Sequence, residues 1–417
     1  MAYLFTSESV AAGHPDKMAD QISDTLLDSY LAFDADSKVA IESLLVDRNV
    51  VLAGEVKSKH QLRLDDIVGI VRDKIKQIGY VDENKFGGFT YDKLKIYNFI
   101  RPQAPELDYI QRDKLVAGDQ GIMFGYATNQ TRSLMPLCIY IANEILYELN
   151  QLTIIGVLPY LGPDAKSQVT IEFNRNHEPI RINNIVVSCL HEKGISTTQI
   201  RRDLEKILFP KIIEKVAPNI SKLFDQNIVY HINPTDSFTE GGPISDAGLT
   251  GRKIIVDTYG GRGSHGGGAF SGKDASKVDR SGAYLARYIA KNLVAAGVAE
   301  RVQVQLSYII GKPEPSSVHV NTYQTMNPEL INKNMTDGSL AGVIKEIFKL
   351  SVEDICRDFK LKNPIYSETA VFGHMGRPPQ KKHKTFTDIS GNQKTIEVDL
   401  FTWEKLDHVQ LIKNQLF

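Results

Sequence analysis

The chain has 417 residues, of which 42% are hydrophobic and 24% are charged. This balance is typical of an ordinary globular protein of two or three domains, and it excludes disordered, collagen-like and coiled-coil classes. Lysine and arginine total 49 against 50 for aspartate and glutamate, so the formal net charge is −1. We therefore expect no nucleic-acid partner and no membrane partner, and any polyanion must be held by a local cluster of cations.

The three cysteines, Cys138, Cys189 and Cys356, are widely spaced and form no CxxC pair. We expect buried free thiols rather than disulfides or a zinc site. The first residues lack the basic and long apolar segments of a signal peptide, and no run of about 18 apolar residues could span a membrane. The predicted location is the cytoplasm.

The first element with a clear period is a helix over 14–33. Apolar residues recur there every four positions, and Pro15 suits the first helical turn. A second row on the opposite side consists of Asp16, Asp20, Asp24 and Asp28. The last three of these aspartates are interpreted as a solvated helix face.

A β-hairpin is predicted next, with strands at 38–46 and 50–56. A two-residue turn at Arg48 and Asn49 would place Glu42 opposite Glu55. Because burial of an unpaired carboxylate is costly, each acid in these apolar strands is expected to have a cationic partner.

Between about 87 and 121 the periodic pattern disappears, which indicates either a lid over a binding site or a plain surface connection. Later helices are predicted at 137–152, 198–216, 279–296 and 340–350, and strands at 168–173, 185–189, 302–310 and 317–322. The run at 381–384, Lys-Lys-His-Lys, is interpreted as exposed charge. Helices and strands mix without a regular βαβ rhythm, so α+β is the predicted fold class.

A glycine-rich segment runs from Tyr259 to Asp274 and has seven glycines in sixteen positions. Residues 267–273 match the GxxxxGK part of a P-loop, but Asp274 stands where a P-loop has the serine or threonine that binds Mg²⁺. Cations near the segment are Arg252, Lys253, Lys273 and Lys277. These cations, with a helix that begins just after the segment, favour an anion site over a plain surface loop.

The segment Gly13-His14-Pro15-Asp16-Lys17 offers an imidazole, a carboxylate and an ammonium at a helix start. Asp16, and similarly Asp279, either caps its helix or shares Mg²⁺ with bound phosphates. The residues alone leave both interpretations open.

Five motifs together resemble the S-adenosylmethionine synthetase family, also called the methionine adenosyltransferases. The motifs are Gly-His-Pro-Asp-Lys at 13–17, Gly-Asp-Gln-Gly at 118–121, Pro-Asp-Ala-Lys at 163–166, Gly-Leu-Thr-Gly-Arg-Lys at 248–253 and His-Gly-Gly-Gly-Ala-Phe-Ser-Gly-Lys at 265–273. The resemblance extends from Phe5 to about Phe372. It implies three similar α+β domains, expected at 1–101, 113–232 and 233–417, with an insertion at about 378–400.

The resemblance also implies the reaction. The sulfur of L-methionine would attack C5′ of ATP to form S-adenosylmethionine, and the released tripolyphosphate would be hydrolysed to phosphate and pyrophosphate. Homodimers with shared active sites, pairing into homotetramers, would carry two Mg²⁺ ions and one K⁺ per subunit. Lys273 and Glu55 are expected to reach one site from different chains.

Site residues follow from the same resemblance. Catalytic roles are implied for His14, Lys166, Arg252 and Lys273. ATP contacts are implied for His14, Asp119, Asp164, Lys166, Phe238, Asp246, Arg252, Lys253, Ala269 and Lys273. Methionine contacts are implied for Glu55, Gln103, Asp246 and Lys277. The implied metal ligands are Asp16 and Asp279 for Mg²⁺ and Glu42 for K⁺.

The chain departs from the family at two positions near ATP. Ser237 and Gly162 stand where the family usually has arginine, which puts the affinity for the nucleotide in doubt. The alternatives are a phosphotransferase or NTPase that uses the glycine-rich segment, disfavoured by Asp274, and a non-catalytic regulatory relative, disfavoured because the implied cations and acids are present.

Overall fold

The computed structural model describes residues 2–104, 115–388 and 390–417. The section of the predicted irregular segment at 105–114 lies outside these residues. The strands are β1 (Tyr3–Val10), β2 (Lys38–Val46), β3 (Asn49–Lys57), β4 (Lys95–Pro102), β5 (Gly121–Thr128), β6 (Leu161–Phe173), β7 (Pro179–His191), β8 (Val229–Ile232), β9 (Gly248–Leu249), β10 (Arg301–Tyr308), β11 (Ser317–Asn321), β12 (Gln380–Thr387) and β13 (Gln393–Leu400).

The described α-helices are Pro15–Phe33, Leu64–Ile78, Leu137–Ile154, Thr197–Asp203, Phe209–Lys215, Pro218–Ser221, Ile254–Asp257, Val278–Ala295, Pro328–Asn332, Asp337–Ile347, Val352–Asp358 and Val409–Leu416. A π-helical turn at Leu204–Leu208 separates two of them. Short 3₁₀ turns lie at Tyr91–Lys93, Gly242–Ile244 and Thr402–Glu404. Among the helices that the structure describes, none is long and apolar enough to cross a membrane.

Three sheets are built from strands that are far apart in the chain. Their orders are β4-β3-β2-β9, β1-β6-β7-β8 and β11-β10-β5. The first strand of the chain therefore pairs antiparallel with β6, so that Tyr3 faces Phe173 and Val10 faces Lys166. Similarly, β9 completes the sheet of β2. This exchange of strands brings the motifs at 13–17, 163–166 and 248–253 close to one another.

Long helices pack on these sheets and close the core. Helix Leu137–Ile154 lies against β1 and β6, and helix Val278–Ala295 lies against β5 and β10. The predicted α+β class is confirmed. The domain boundaries at 1–101, 113–232 and 233–417 stay a prediction. The three thiols are buried and free, as expected.

Most predicted elements are present with small shifts of their ends, but two expectations about the strands between 38 and 121 are wrong. The segment at 87–121 was expected to be irregular, yet β4 lies within it and pairs parallel with β3. The hairpin turn falls at Asp47 and Arg48, so Glu42 pairs with Ala53 and Glu55 with Ala40. Asp47 has a positive φ of 51°, a conformation that aspartate tolerates better than most residues, and this selects the observed turn.

The predicted helix at 198–216 is interrupted. Pro210 has no backbone N–H to donate, and the chain passes through the π-helical turn Leu204–Leu208 before helix Phe209–Lys215 begins. By contrast, the helix at 137–152 continues to Ile154 without a break.

The aspartate row of helix Pro15–Phe33 is buried, which contradicts the expected solvated face. Asp20, Asp24 and Asp28 are at most 1% exposed. Their charges are balanced by three cations, of which Lys17 lies on the same helix and Arg280 and Lys384 approach from other parts of the fold. The pairs are Asp20 with Lys17 at 2.9 Å, Asp24 with Arg280 at 2.7 Å, and Asp28 with Lys384 at 2.6 Å.

The segment at 378–400 forms the antiparallel hairpin β12–β13. Its outer lysines are exposed, as expected, but Lys384 is not, because its ammonium binds both Asp28 and Glu368. Lys394 donates to the carbonyl of Ala32 at 2.6 Å, near the end of helix Pro15–Phe33. The hairpin is therefore fastened to the helix whose first turn carries His14 and Asp16.

Candidate active site

The first turn of helix Pro15–Phe33 forms one side of the site. His14 is the N-cap residue, and its Nδ1 accepts a hydrogen bond from the backbone N–H of Asp16 at 3.2 Å. Burial, followed by the charges of Lys253 and Lys166, lowers the pKa of His14 to about 3. The imidazole is neutral at pH 7, and because Nδ1 accepts, its proton lies on Nε2. The ring can thus donate to an anion without carrying a charge.

Asp16 connects this helix start to the segment at 248–253. Its carboxylate accepts from Nζ of Lys253 at 2.5 Å and from the backbone N–H of Leu249 at 3.0 Å, and Arg252 lies 3.7 Å away. Burial acts to raise the pKa of Asp16, but the bonds from Lys253 and Leu249 outweigh it and leave the pKa below its ordinary value. The carboxylate therefore stays ionised between two cations.

A cavity of about 290 Å³ opens beside this helix start. Its walls include five residues that the sequence assigned to ATP: His14, Asp164, Lys166, Phe238 and Asp246. The size is at the lower end of the range for small-molecule sites, roughly 300–1,000 Å³. The structure thus brings together residues that are up to 232 positions apart in the chain.

Asp164 is a buried residue in the wall of this cavity. Its Oδ2 accepts the backbone N–H of Gly242 at 2.9 Å, whereas Oδ1 has no partner among the described residues. Burial raises the pKa of Asp164 to about 7. The free oxygen can therefore receive or share a proton with a ligand that enters the cavity.

Of the two departures from the family pattern, Ser237 lines this cavity, whereas Gly162 lies in β6 two residues before Asp164. At Gly162, a Cβ atom would lie 2.7 Å from Cδ2 of buried Leu190 and 3.0 Å from the ring of Phe86. A larger residue there would have to displace that packing. In this chain the side chains of Leu190 and Phe86 therefore occupy the space that an arginine side chain would need.

A second group of site residues lies on the glycine-rich segment. Nζ of Lys273 contacts Oδ2 of Asp279 at 2.7 Å, and both side chains are about a quarter exposed, at 23% each. Gly268 packs directly on Asp279, where a Cβ would lie 2.2 Å from Cγ. Ala269 contacts Gly251, whose Cβ would lie 2.3 Å from that of Ala269. Lys273 and Asp279 thus present a cation and a carboxylate at one edge of this segment.

Asp274 has a structural role. Its carboxylate accepts from the N–H of Val39 at 2.8 Å, from Ser276, and from Nζ of Lys277 at 2.6 Å. Burial acts to raise the pKa of Asp274, but Lys277 and Lys38 outweigh it and lower the pKa to about 2. This carboxylate has no free position for Mg²⁺, so the P-loop interpretation is excluded at this residue.

The hairpin acids behave differently from the expectation. Glu42 is exposed on the outer face of its sheet and has no ion pair among the described residues. Glu55 is half-buried and lies 3.4 Å from Nε2 of Gln103. Among the residues that the structure describes, neither acid has the cationic partner that was expected, because both side chains point away from the core.

Lys273 and Glu55 belong to the same side of the sheet in one chain. Ala40 pairs with Glu55 across the hairpin and also forms a β-bridge with Lys273. The structure describes a single chain, so the expectation that these two residues reach one site from different chains stays a prediction, with one chain as the source of both as its alternative. Asp119 is exposed, and its Oδ1 accepts the N–H of Gln120 at 2.7 Å.

The site residues thus form two groups. In the described part of the chain, no hydrogen bond or ion pair joins a side chain of one group to a side chain of the other. The first group, at the helix start and the cavity, is His14, Asp16, Asp164, Lys166, Phe238, Asp246, Arg252 and Lys253. The second, at the glycine-rich segment and hairpin, is Glu42, Glu55, Gln103, Asp119, Ala269, Lys273, Lys277 and Asp279.

Comparison with known proteins assigns the family. Sequence models of the N-terminal, central and C-terminal domains of S-adenosylmethionine synthetase match residues 2–105, 114–238 and 240–385. The chain belongs to the S-adenosylmethionine synthetase family. The S-adenosylmethionine synthase of Flavobacterium johnsoniae is 51% identical, that of Christiangramia forsetii 52%, and that of Bacteroides thetaiotaomicron 50%. Each similarity covers 99% of this chain and 99% of the relative.

This membership confirms both the resemblance and the expectation of an enzyme. Just beyond the first motif, the buried aspartates Asp20 and Asp24 bind the backbone of Gly251 and Gly272 in the candidate site, a role that the sequence pattern did not predict. A signal was present, because helix Pro15–Phe33 has no lysine or arginine after Lys17. Solvated helix faces usually alternate acids with cations three or four residues away, and this row does not.

Proposed function

We propose that this chain is a methionine adenosyltransferase that joins ATP and L-methionine. The methionine sulfur attacks C5′ of ATP, the C5′–O bond breaks, and tripolyphosphate leaves before it is hydrolysed to phosphate and pyrophosphate. The observation that carries the proposal is the cluster of cations around the N-terminus of helix Pro15–Phe33, in a chain about half identical to named S-adenosylmethionine synthases over its whole length.

The first group of residues fits the phosphates. A thioether is a neutral nucleophile, so the rate must come from alignment of the reactants and from stabilisation of the departing polyanion. Lys253 and Arg252 supply positive charge, and neutral His14 supplies a hydrogen-bond donor at Nε2. The helix N-terminus adds its own partial positive charge. Lys273, from the second group of residues, would contact the same phosphates from the opposite side.

The adenosine fits the cavity beside His14. Phe238 offers an aromatic face for the adenine ring, and Lys166 lines the same cavity. The uncommitted Oδ1 of Asp164 is available to a nitrogen or hydroxyl of the nucleoside. Ala269 and Asp119 are assigned to the nucleotide on the family motifs alone.

Methionine is assigned to the second group. The carboxylate of Glu55 suits the ammonium group of methionine. Nε2 of Gln103 lies 3.4 Å from Oε1 of Glu55, so its amide can contact the same substrate. Lys277 suits the substrate carboxylate, and Asp246 would lie between the two substrates.

The carboxylates also fit the implied metals. Mg²⁺ is usually held by one or two carboxylates together with substrate phosphates, and among the described residues no group of three or more acidic, His or Cys side chains forms a complete site. Asp16 and Asp279, each beside a lysine, would hold the two Mg²⁺ ions, and exposed Glu42 the K⁺. Bound Mg²⁺ would neutralise charge on the phosphate oxygens.

A homodimer would complete the site. The outer face of the sheet β4-β3-β2-β9 carries exposed apolar side chains around Glu42 and Glu55: Leu44, Val46, Tyr97, Phe99 and Leu249. Such a contiguous apolar face is typical of a subunit interface. We infer that two chains pack through it, so that the second group of one chain faces the first group of its partner, and that two such dimers form the homotetramer. The free thiols fit a reducing cytoplasm.

One incubation separates this proposal from its alternatives. The full-length protein is mixed with ATP, L-methionine, Mg²⁺ and K⁺, and the products are analysed by mass spectrometry. The proposal predicts a sulfonium product together with phosphate and pyrophosphate. ADP without a sulfonium product would indicate a phosphotransferase or NTPase, and no turnover under any ratio of substrates would indicate a regulatory relative.

A further inference from the structure

A buried ion pair lies directly behind the glycine-rich segment. Arg280 is fully buried, and its guanidinium binds Asp24 through two hydrogen bonds, of 2.7 and 2.9 Å. The same guanidinium donates to the backbone carbonyls of Phe270 at 2.9 Å and Lys273 at 3.2 Å. Asp24 in turn accepts the backbone N–H of Gly272 at 2.8 Å. The pair therefore holds the backbone of 270–273 at three points.

The segment depends on such bonds, because glycines provide no side chains to pack. Gly272 has φ +80° and lies against β2, where a Cβ would come within 1.9 Å of the carbonyl oxygen of Ile41. Its own carbonyl accepts the N–H of Ile41 at 3.0 Å. A chain of this composition is held in place by hydrogen bonds to its backbone, and Arg280 and Asp24 supply a large share of them.

The guanidinium itself cannot turn. Its Nε donates to the hydroxyl of Tyr284 at 3.1 Å, and its NH2 group donates to Thr369 at 2.9 Å as well as to Asp24. The ring of Tyr366 lies 4.2 Å from the guanidinium carbon. All of its nitrogen atoms are thus engaged, which fixes the fork in one orientation.

Helix Pro15–Phe33, which carries Asp24, also binds the cationic segment at 248–253, through a residue one turn earlier. Oδ1 of Asp20 accepts the backbone N–H of Gly251 at 2.8 Å, next to Arg252. Asp20 and Asp24 are four residues apart, so their carboxylates lie one above the other on the helix. One helix face thereby sets the spacing between the segments that carry Arg252 and Lys273.

We propose that Arg280 and Asp24 are positioning residues for the polyphosphate. They act through the backbone of 270–273 and determine where the ammonium of Lys273 stands, without touching substrate themselves. The inference rests on the proposed function of Lys273 as a phosphate-binding residue. A shift of about an ångström in such a group can cost up to a hundredfold in rate. Substitution of either buried residue should therefore displace Lys273 and weaken its contact with the substrate.

The chain supplies a matched control on the same helix. Arg287 is also fully buried, binds Glu404 through two hydrogen bonds of 2.9 and 3.0 Å, and donates to the carbonyls of Tyr126 and Leu134. Within the described residues it makes no hydrogen bond to the segments at 248–253 or 266–273. Arg→Lys at either position loses the two-pronged contact and keeps the charge.

The test measures KM for added tripolyphosphate, with Mg²⁺ present, for the full-length protein and its variants. Arg280→Lys is expected to raise this KM about tenfold and to change KM for methionine less than about twofold. Both variants are expected to lower the thermal midpoint of unfolding by a similar amount, because each loses a buried two-pronged contact. Arg287→Lys is expected to leave both KM values unchanged. A lower fraction of folded enzyme would reduce the apparent kcat but not KM, so the KM ratio reports position rather than stability.

A double-mutant cycle shows whether Arg280 acts through Lys273. In the Lys273→Ala background, Arg280→Lys is expected to add less than about twofold to KM for tripolyphosphate, because the group that it positions is absent. A full tenfold rise in that background would overturn the proposal. If Arg280→Lys does not fold, Tyr284→Phe replaces it, with an expected rise of about threefold from the loss of one hydrogen bond to the guanidinium.

The outcomes distinguish the two levels of inference. If Lys273→Ala raises KM for tripolyphosphate and neither Arg280→Lys nor Tyr284→Phe does, the positioning role is wrong and the proposed function stands. If Lys273→Ala itself leaves that KM unchanged, its phosphate role is wrong and the positioning role falls with it. Equal KM increases in Arg280→Lys and Arg287→Lys would show a general loss of structure and would also overturn the proposal.

Discussion

Substitution of Lys273 by alanine is the perturbation with the clearest expected effect on the first chemical step. The ammonium is 2.7 Å from Asp279 and only partly exposed, at the end of the glycine-rich segment. A unit charge about 4 Å from a phosphate oxygen contributes roughly 4 kcal/mol at an effective dielectric constant of about 20. Removal of comparable groups that stabilise developing charge costs about 3–4 kcal/mol in the transition state. We therefore expect kcat for sulfonium formation to fall by roughly two to three powers of ten.

The assay is steady-state formation of the sulfonium product, with methionine binding measured separately by titration calorimetry. Methionine affinity should change less than about threefold, because its polar head is assigned to Glu55 and Gln103. Lys381→Ala is the control, since it also removes a lysine from an ion pair, with Glu397 at 2.7 Å on the exposed hairpin. The reasoning is refuted if Lys273→Ala keeps kcat within about threefold of the parent, or if it abolishes methionine binding and spares kcat.

Four further outcomes follow from the same geometry. Glu42→Gln should raise the K⁺ concentration needed for half-maximal activation, and superimposable K⁺ titrations would remove Glu42 from that site. Inactive Lys253→Ala and Glu55→Ala chains should partly restore activity when they form mixed dimers, and verified mixed dimers without recovery would place both residues in one chain's site. Because burial lowers the pKa of His14 to about 3, only the unfolded state gains this proton as pH falls below about 6.5, so stability is lost on acidification. His14→Asn should flatten the dependence of unfolding free energy on pH between about 6.5 and 5, and parallel curves would contradict this. Lys384→Ala should destabilise the fold by about 3–5 kcal/mol in chemical denaturation, far more than the exposed-lysine control, because it leaves buried Asp28 without its cation, whereas Glu368 keeps Lys382.

Local rules predicted the helix start but not its surroundings. Pro15 in the first turn and the apolar residues that recur every four positions are sufficient to predict a helix that begins there. The burial of the aspartate row depends on Arg280 and Lys384, which lie 256 and 356 positions later in the chain. No pattern within a window of twenty residues contains that information, so the row was interpreted as a solvated face.

The hairpin illustrates a second limit. The two strands were predicted from their apolar runs, but their register is determined by the turn, and Asp47 rather than Asn49 adopts the positive φ. The shift moves Glu55 from opposite Glu42 to opposite Ala40, and through Ala40 it joins the group of Lys273. The motifs predicted the candidate site residues, whereas the tertiary structure divides them into two groups.

The most direct test of the proposed reaction follows one oxygen atom. ATP is prepared with ¹⁸O between C5′ and the α-phosphorus, and is incubated with the full-length protein, L-methionine, Mg²⁺ and K⁺. Attack of sulfur at C5′ breaks the C–O bond, so the label must leave with the tripolyphosphate and appear in phosphate or pyrophosphate, with none in the sulfonium product. Label retained in a nucleoside product such as ADP or AMP, without sulfonium formation, would show cleavage at phosphorus and would contradict the proposed reaction.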